Sequence, residues 1–93
     1  MPTYKSPVAD NLFLLNDVFQ IERYADIPGY GDLSPDIVEA TLTEAAKLCD
    51  DVLAPLNRVG DTEGCTRHED GSVTTPKGFK EAFKQFRDGG WNA

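Results

Sequence analysis

Residues 50–64, DDVLAPLNRVGDTEG, contain a proline within a sequence that otherwise predicts a helix. Pro55 has no backbone N–H to donate, and its ring crowds the carbonyl group four residues earlier, at Asp51. In the interior of a helix such a proline costs about 3 kcal/mol. The apolar pattern nevertheless continues in phase on both sides of Pro55, which favours one long helix bent at the proline over two separate helices.

Three consecutive residues mark the start of this long helix. Ser34 can cap the first turn, Pro35 suits the first helical position, and Asp36 faces the positive end of the helix dipole. A helix from there to Val59 would have about 25 residues and a length of about 37 Å. Its apolar residues recur at helical spacing and form a seam that consists of Val38, Leu42, Ala45, Cys49, Val52, Leu56 and Val59.

An earlier amphipathic helix is predicted before this one. Asp10 or Asn11 can cap it, and its apolar pattern fades near Tyr24. Residues 26–33, DIPGYGDL, then predict a loop because they contain a proline and two glycines. The apolar positions of this helix are Leu12, Leu14, Leu15, Val18, Phe19 and Ile21.

A long polar loop, residues 60–76, follows the central helix. Asp70 and Gly71 are typical of a tight hairpin turn, but Val73 is the only strong strand former beside them, so we expect two or three paired residues at most. A loop of this length is uncommon inside a compact domain. We therefore expect something outside this chain to cover it.

A short third helix is predicted after the loop. Thr75 is its expected cap, Pro76 its first residue, and Gly89 or Gly90 its left-handed end. A tryptophan directly after that end, Trp91, suggests a chain cut in the middle of a structure. The aromatic residues Phe79, Phe83 and Phe86 share one face with Ala82, and their helical spacing favours a core role over a platform for stacking ligands.

These segments predict an all-α fold, a small bundle of about three helices with a long central helix bent at Pro55, in one domain that covers residues 1–93. The composition, 40% hydrophobic and 10% aromatic, is that of an ordered soluble domain. No apolar run approaches the roughly 20 residues of a membrane span. The N-terminus lacks the apolar stretch of a signal peptide, so the expected location is the cytoplasm.

The chain is acidic, with a net charge of −7. Such a charge repels phosphate backbones and argues against nucleic-acid binding. The exception is residues 77–87, where the bases Lys77, Lys80, Lys84 and Arg87 face a single acid, Glu81. This stretch predicts a solvated basic face on the last helix, with a docking face for an acidic surface as the alternative.

No residue pattern predicts catalysis or ligand binding. The sequence has no glycine-rich phosphate loop. Cys65 and His68 supply two ligands where a structural zinc ion needs four. Asp50 and Asp51 are neighbours on a predicted helix and point about 100° apart, so they cannot share a proton. We therefore assign no catalytic, cofactor-binding or metal-binding residue, and expect Cys49 to be a small buried hydrophobe.

Two stretches in this order, VLAPLNRVGDTEGC (52–65) and TPKGFKEAFKQFRDGGWNA (75–93), resemble the N-terminal helical domain of the acyl-CoA dehydrogenase family. In that domain of the family a long helix runs through a proline-containing segment to an acidic residue and a turn, and a later helix leads into the sequence Gly-Gly-Trp. The opening YKSPVADNLFLLNDVF (4–19) resembles the extra N-terminal segment of longer bacterial members, which include dehydrogenases of medium-chain, long-chain and methylthiopropanoyl-CoA substrates. The resemblance covers residues 4–92.

The resemblance implies that this chain is the first part of a much longer enzyme with a β-sheet middle domain and a helical C-terminal domain. In that family FAD is held between the later domains, a glutamate of the C-terminal half removes the α-proton of the acyl-CoA, and the flavin accepts the β-hydride. None of those residues matches a position in this chain, so we expect it to be inert alone and to carry no FAD. Its implied partners are its own missing domains and, for the whole enzyme, acyl-CoA and an electron-transfer flavoprotein.

Two other hypotheses stay open from the residues alone. The apolar seam could belong to a stand-alone helical module that pairs with a partner protein or forms a homo-oligomer. A small metal-binding or regulatory domain around Cys65 and His68 would need further ligands that the sequence does not show.

Overall fold

The computed structural model describes residues 3–92. The chain divides into two compact units, of which the first ends at Lys47 and the second begins at Leu48. The predicted all-α class is confirmed, since the chain is mostly helical with two short strands. The boundary between the units lies within the longest helix.

The first unit begins with helix α1, Val8–Leu12, which continues as a π-helical turn, Phe13–Val18. The predicted start at Asp10 or Asn11 is wrong, because α1 follows Pro7 without any side-chain cap and Asp10 lies within its first turn. A proline can precede a helix there because the first amides have no intrahelical acceptor in any case.

The first helix ends earlier than predicted. Gln20 adopts a left-handed conformation with φ of 49°, which breaks the helix before a short 3-10 helix, Ile21–Tyr24. Residues 25–34 then form turns, as the proline and glycines predicted. Helix α2, Pro35–Lys47, follows and packs against α1.

The long central helix is confirmed and is longer than predicted. Residues 35–63 are helical throughout, a length of 29 residues. It consists of α2, a π-helical turn Leu48–Leu53, and helix α3, Ala54–Glu63. The predicted cap is also confirmed: the amide of Ile37 donates to Ser34 Oγ at 3.4 Å, and that of Val38 to the Ser34 carbonyl at 3.0 Å.

The π-helical turn explains how the helix passes the proline. It ends at Leu53, so Pro55 is the second residue of α3 and lies directly after the point where the α-helical hydrogen-bond pattern is interrupted. In a π-helical turn each carbonyl pairs with the amide five residues later instead of four. The bend at Pro55 stays a prediction, and π-helical turns are among the features at which helices bend.

The loop after α3 contains a small hairpin. Strand β1, Thr66–Arg67, pairs antiparallel with strand β2, Val73–Thr74, so that Thr66 lies opposite Thr74. Gly71 occupies the turn with φ of +87°, a conformation that L residues rarely adopt. The predicted turn and the predicted extent of pairing are confirmed.

Helix α4, Phe79–Asp88, starts later than predicted. Thr75 and Pro76 do not begin it; Gly78 precedes it in a left-handed conformation with φ of +90°. Its end is a Schellman motif, in which the Trp91 amide donates to the carbonyl of Phe86 and the Gly90 amide to that of Arg87. Gly90 is left-handed, as the sequence predicted.

Two close contacts join α3 to the start of α4. A Cβ atom added to Gly60 would lie 2.8 Å from Cζ of Phe79, so this ring rests directly on the glycine backbone. A Cβ atom added to Gly78 would lie 2.9 Å from Cδ2 of Leu56. The carboxylate of Glu63 also accepts a hydrogen bond from the Lys77 amide at 2.9 Å.

Little of the described chain is buried. Among residues 3–92 only Pro76 and Ala82 are buried, and every residue of the seam is half-buried. Cys49, which was expected to be a buried hydrophobe, is half-buried as well. The helices are therefore formed, but most of their apolar residues still have one side open to solvent.

Replacing Pro55 by Ala should lengthen the α-helical part of the long helix, since the substitution restores a donor and removes the ring. We expect more helical circular dichroism and a gain in the free energy of unfolding of about 1–2 kcal/mol, less than the full cost of a mid-helix proline. Asn57→Ala is the control, because it changes only the helix propensity at an exposed position of α3. It should raise the free energy of unfolding by about a few tenths of a kcal/mol. Equal effects of the two variants would contradict this account.

Replacing Gly78 by Ala should destabilise the second unit for two reasons. The left-handed backbone costs about 1–2 kcal/mol for an L residue, and the new methyl group collides with Leu56. Gly71→Ala is the matched control, since its φ is +87° but no atom lies within 4 Å of an added Cβ. Urea denaturation should show the larger loss for Gly78→Ala, and equal losses would mean that the Leu56 contact is unimportant.

Candidate functional site

The two cysteines and the histidine do not form a site. Cys65 is exposed, Cys49 is half-buried, and both are free thiols. His68 places Nε2 2.6 Å from the Thr74 hydroxyl, across the hairpin. Within residues 3–92 no three histidine, cysteine or acidic side chains come together as metal ligands would.

The hairpin turn contains a carboxylate whose pKa is shifted, that of Asp70. Asp70 Oδ1 accepts a hydrogen bond from the Ser72 hydroxyl at 2.6 Å and another from the Ser72 amide at 2.9 Å. These bonds favour the charged form, so the pKa of Asp70 lies below its ordinary value of 3.8. Because the carboxylate is fully exposed and bonded only within its own turn, we interpret it as a structural element of the turn.

A polar depression lies in the first unit. Its one cation, Arg23, is already engaged, since Nη2 donates to the Tyr24 hydroxyl at 2.7 Å and the guanidinium lies 4.8 Å from the centre of that ring. The other residues include two acids, so the depression does not suit an anionic ligand. It is lined by Asn16, Asp17, Gln20, Glu22, Arg23 and Pro35.

The most unusual feature of the first unit is an exposed apolar segment in and after the π-helical turn of α1. Phe13 is 57% exposed and Phe19 is 55% exposed, although side chains of this size are usually inside a protein. We define the α1 apolar segment as Phe13, Leu14, Val18 and Phe19, all of which are exposed. Large contiguous patches of exposed apolar surface are typical of contact surfaces.

The second unit exposes an aromatic residue on α4. Phe83 is 59% exposed, so its predicted core role is wrong for this chain, whereas Phe79 and Phe86 are half-buried. The rings of Phe83 and Phe86 are tilted by 35° with their centres 6.3 Å apart. Beyond the helix, the Trp91 indole lies over Gly89, 3.0 Å from an added Cβ, and remains partly exposed.

Sequence reasoning missed a second set of exposed apolar residues in the first unit. Ile27 and Tyr30 lie in the turns before α2, and Ile37 lies in its first turn; each is more than two-fifths exposed. Isolated apolar residues among glycines and prolines give no periodic signal. The one available clue was their alternation with acids in residues 26–36.

The turn at Asp70 gives a pH-dependent prediction. Because the pKa of Asp70 is lower in the folded turn than in the unfolded chain, the turn gains stability above the ordinary pKa and loses it as pH falls through the lowered value. Ser72→Ala removes the largest cause, so an NMR titration should show the Asp70 pKa rising towards its ordinary value. Glu69→Gln, which removes a neighbouring charge, is the control, and an unchanged Asp70 pKa in Ser72→Ala would refute the assignment.

Comparison with known proteins gives one informative match. The chain is 37% identical over 91 residues to the 3-methylmercaptopropionyl-CoA dehydrogenase of Ruegeria pomeroyi (strain ATCC 700808 / DSM 15171 / DSS-3). The match includes 98% of this chain but spans only 15% of that protein's length, in its N-terminal region. No family model matches the chain. The chain is therefore homologous to the N-terminal region of an acyl-CoA dehydrogenase, which confirms the resemblance carried by its own residues.

Proposed function

We propose that residues 1–93 form the N-terminal helical domain of a larger FAD-dependent acyl-CoA dehydrogenase. The observation that carries the proposal is the identity of 37% along almost the whole chain to the first part of such an enzyme. In this proposal the chain provides packing surface, and the groups that act on acyl-CoA belong to other parts of the enzyme. Electrons leaving the whole enzyme would pass to an electron-transfer flavoprotein.

The exposed apolar residues support a packing role. A buried phenylalanine or leucine side chain contributes about 1.5–3 kcal/mol relative to an exposed one. The α1 apolar segment withholds about half of that contribution while the chain is alone, since its four residues are between 43% and 57% exposed. Contact with the later domains of the same enzyme would recover it.

The polar depression of the first unit does not suit FAD. The pyrophosphate of FAD is anionic and needs backbone amides or free cations around it. The polar depression instead offers Asp17 and Glu22, and its Arg23 already bonds Tyr24. We therefore derive no step of the reaction from this chain, and place the flavin site and the catalytic base in the later domains.

A chimera tests this proposal. The matched N-terminal region of the Ruegeria pomeroyi enzyme is replaced by this chain, and the purified protein is assayed for bound flavin and for oxidation of 3-methylmercaptopropionyl-CoA. We expect the chimera to retain both, and an enzyme from which the same region is deleted to lose them. The 93-residue chain alone should bind no flavin and oxidise no acyl-CoA.

Variants of the chimera locate the packing surface. Phe13→Asp with Phe19→Asp places two charges in the α1 apolar segment and should reduce flavin content or activity about tenfold or more, because buried unpaired charges are costly. Thr43→Asp with Thr62→Asp adds the same charges at exposed helical positions and should have no such effect. A chimera that folds but is inactive, together with a chain that is stable alone, would favour the stand-alone interaction module.

A further inference from the structure

Two of the three basic residues of α4 have no anionic partner in the part of the chain that the structure describes. Lys80 and Lys84 lie four positions apart, which places two like charges side by side on the helix and weakens it. Within residues 3–92 neither side chain forms an ion pair or hydrogen bond, and both are exposed. Arg87, at the next helical step, is bound only to its neighbour Asp88, at 3.2 Å.

An exposed aromatic ring lies beside these cations. On an α-helix, Phe83 is within about 60° of Lys80 and of Arg87 when viewed along the axis. Phe83 is also the most exposed large apolar residue of the described chain. We call Lys80, Phe83, Lys84 and Arg87 the basic face. An apolar ring flanked on one side by cations is suited to an acidic protein surface that presents apolar groups of its own.

The first unit has a surface of the complementary kind. Residues 1–47 carry eight acids and three bases. In the turns before α2, the exposed carboxylates of Asp26 and Asp32 alternate with Ile27, which is 43% exposed, and Tyr30, which is 53% exposed. Neither carboxylate is paired within the part of the chain that the structure describes. We call Asp26, Ile27, Tyr30 and Asp32 the acidic turn.

We propose that the basic face of one copy of this chain docks on the acidic turn of a second copy. The two surfaces are complementary. The cations of the basic face would meet the carboxylates of the acidic turn, and the phenylalanine ring would pack against the isoleucine and the tyrosine. Both surfaces are open in a single copy, so both are accessible to another chain. Every copy carries one surface of each kind, so each member of a pair of copies offers both a basic face and an acidic turn.

This proposal does not rest on the proposed function. It uses none of the residues of the α1 apolar segment, and it concerns the 93-residue chain itself. Nucleic acid is a poor occupant of the basic face, because a chain of net charge −7 is repelled by a polyanion over a longer range than the face attracts it.

Sedimentation of the chain tests the proposal directly. We expect a dimer at about 0.1 M salt that dissociates at about 1 M salt, where the Debye length falls from about 10 Å to about 3 Å. Lys80→Glu with Lys84→Glu should lower the association constant about tenfold or more, because it places like charges opposite each other. Asp26→Lys with Asp32→Lys should have the same effect from the other side.

Mixing the two charge-reversed variants provides the decisive outcome. Each should be monomeric alone, and their equimolar mixture should form a dimer, because both contacts then regain opposite charges. Lys5→Glu with Arg67→Glu changes the net charge as much as the double lysine variant, at exposed positions outside the basic face, and should leave the dimer intact. Circular dichroism confirms that each variant keeps its helices.

Two results would overturn the proposal. One is a wild-type chain that stays monomeric at low salt. The other is a dimer that survives both charge reversals and high salt, which would assign the contact to apolar residues elsewhere, such as the α1 apolar segment. Neither result would affect the outcome of the chimera experiment, so the proposed function is tested independently.

Discussion

The packing of the second unit depends on two contacts, in each of which a large side chain of one segment lies against a glycine of the other. Phe79 rests on Gly60 of α3, and Leu56 of α3 rests on Gly78 in front of α4. The two contacts run in opposite directions, so neither helix can slide along the other without opening one of them. A Cβ atom at either glycine would lie less than 3.0 Å from its partner, so Phe79 or Leu56 would have to move to accommodate it.

The same arrangement explains why the unit is incompletely covered. Ala82 of α4 is 4% exposed, and α4 packs against the π-helical turn Leu48–Leu53. This packing does not reach the outer side of α4, where Phe83 remains open. Among residues 3–92 only Pro76 and Ala82 are buried, and a small domain with so little buried surface is marginally stable.

Features specified by neighbouring residues could be predicted from the sequence. The cap at Ser34, the hairpin turn at Asp70 and Gly71, and the left-handed Gly90 each depend on the chemistry of a few consecutive residues. The start of α4 could not be predicted in this way. Thr75 and Pro76 satisfy the local rules for a helix start. In the structure, however, Gly78 lies against Leu56 in a left-handed conformation, and the helix starts at Phe79.

The candidate surfaces show the same division between local and non-local information. Helical spacing predicted that Phe79, Phe83 and Phe86 share one side of α4, but not which of them finds a neighbour, because that depends on the approach of α3. The basic residues were visible in the sequence, whereas the lack of an ion pair at Lys80 and Lys84 within residues 3–92 emerges only from the folded chain. The exposure of these two cations beside an exposed ring is therefore evidence from the fold.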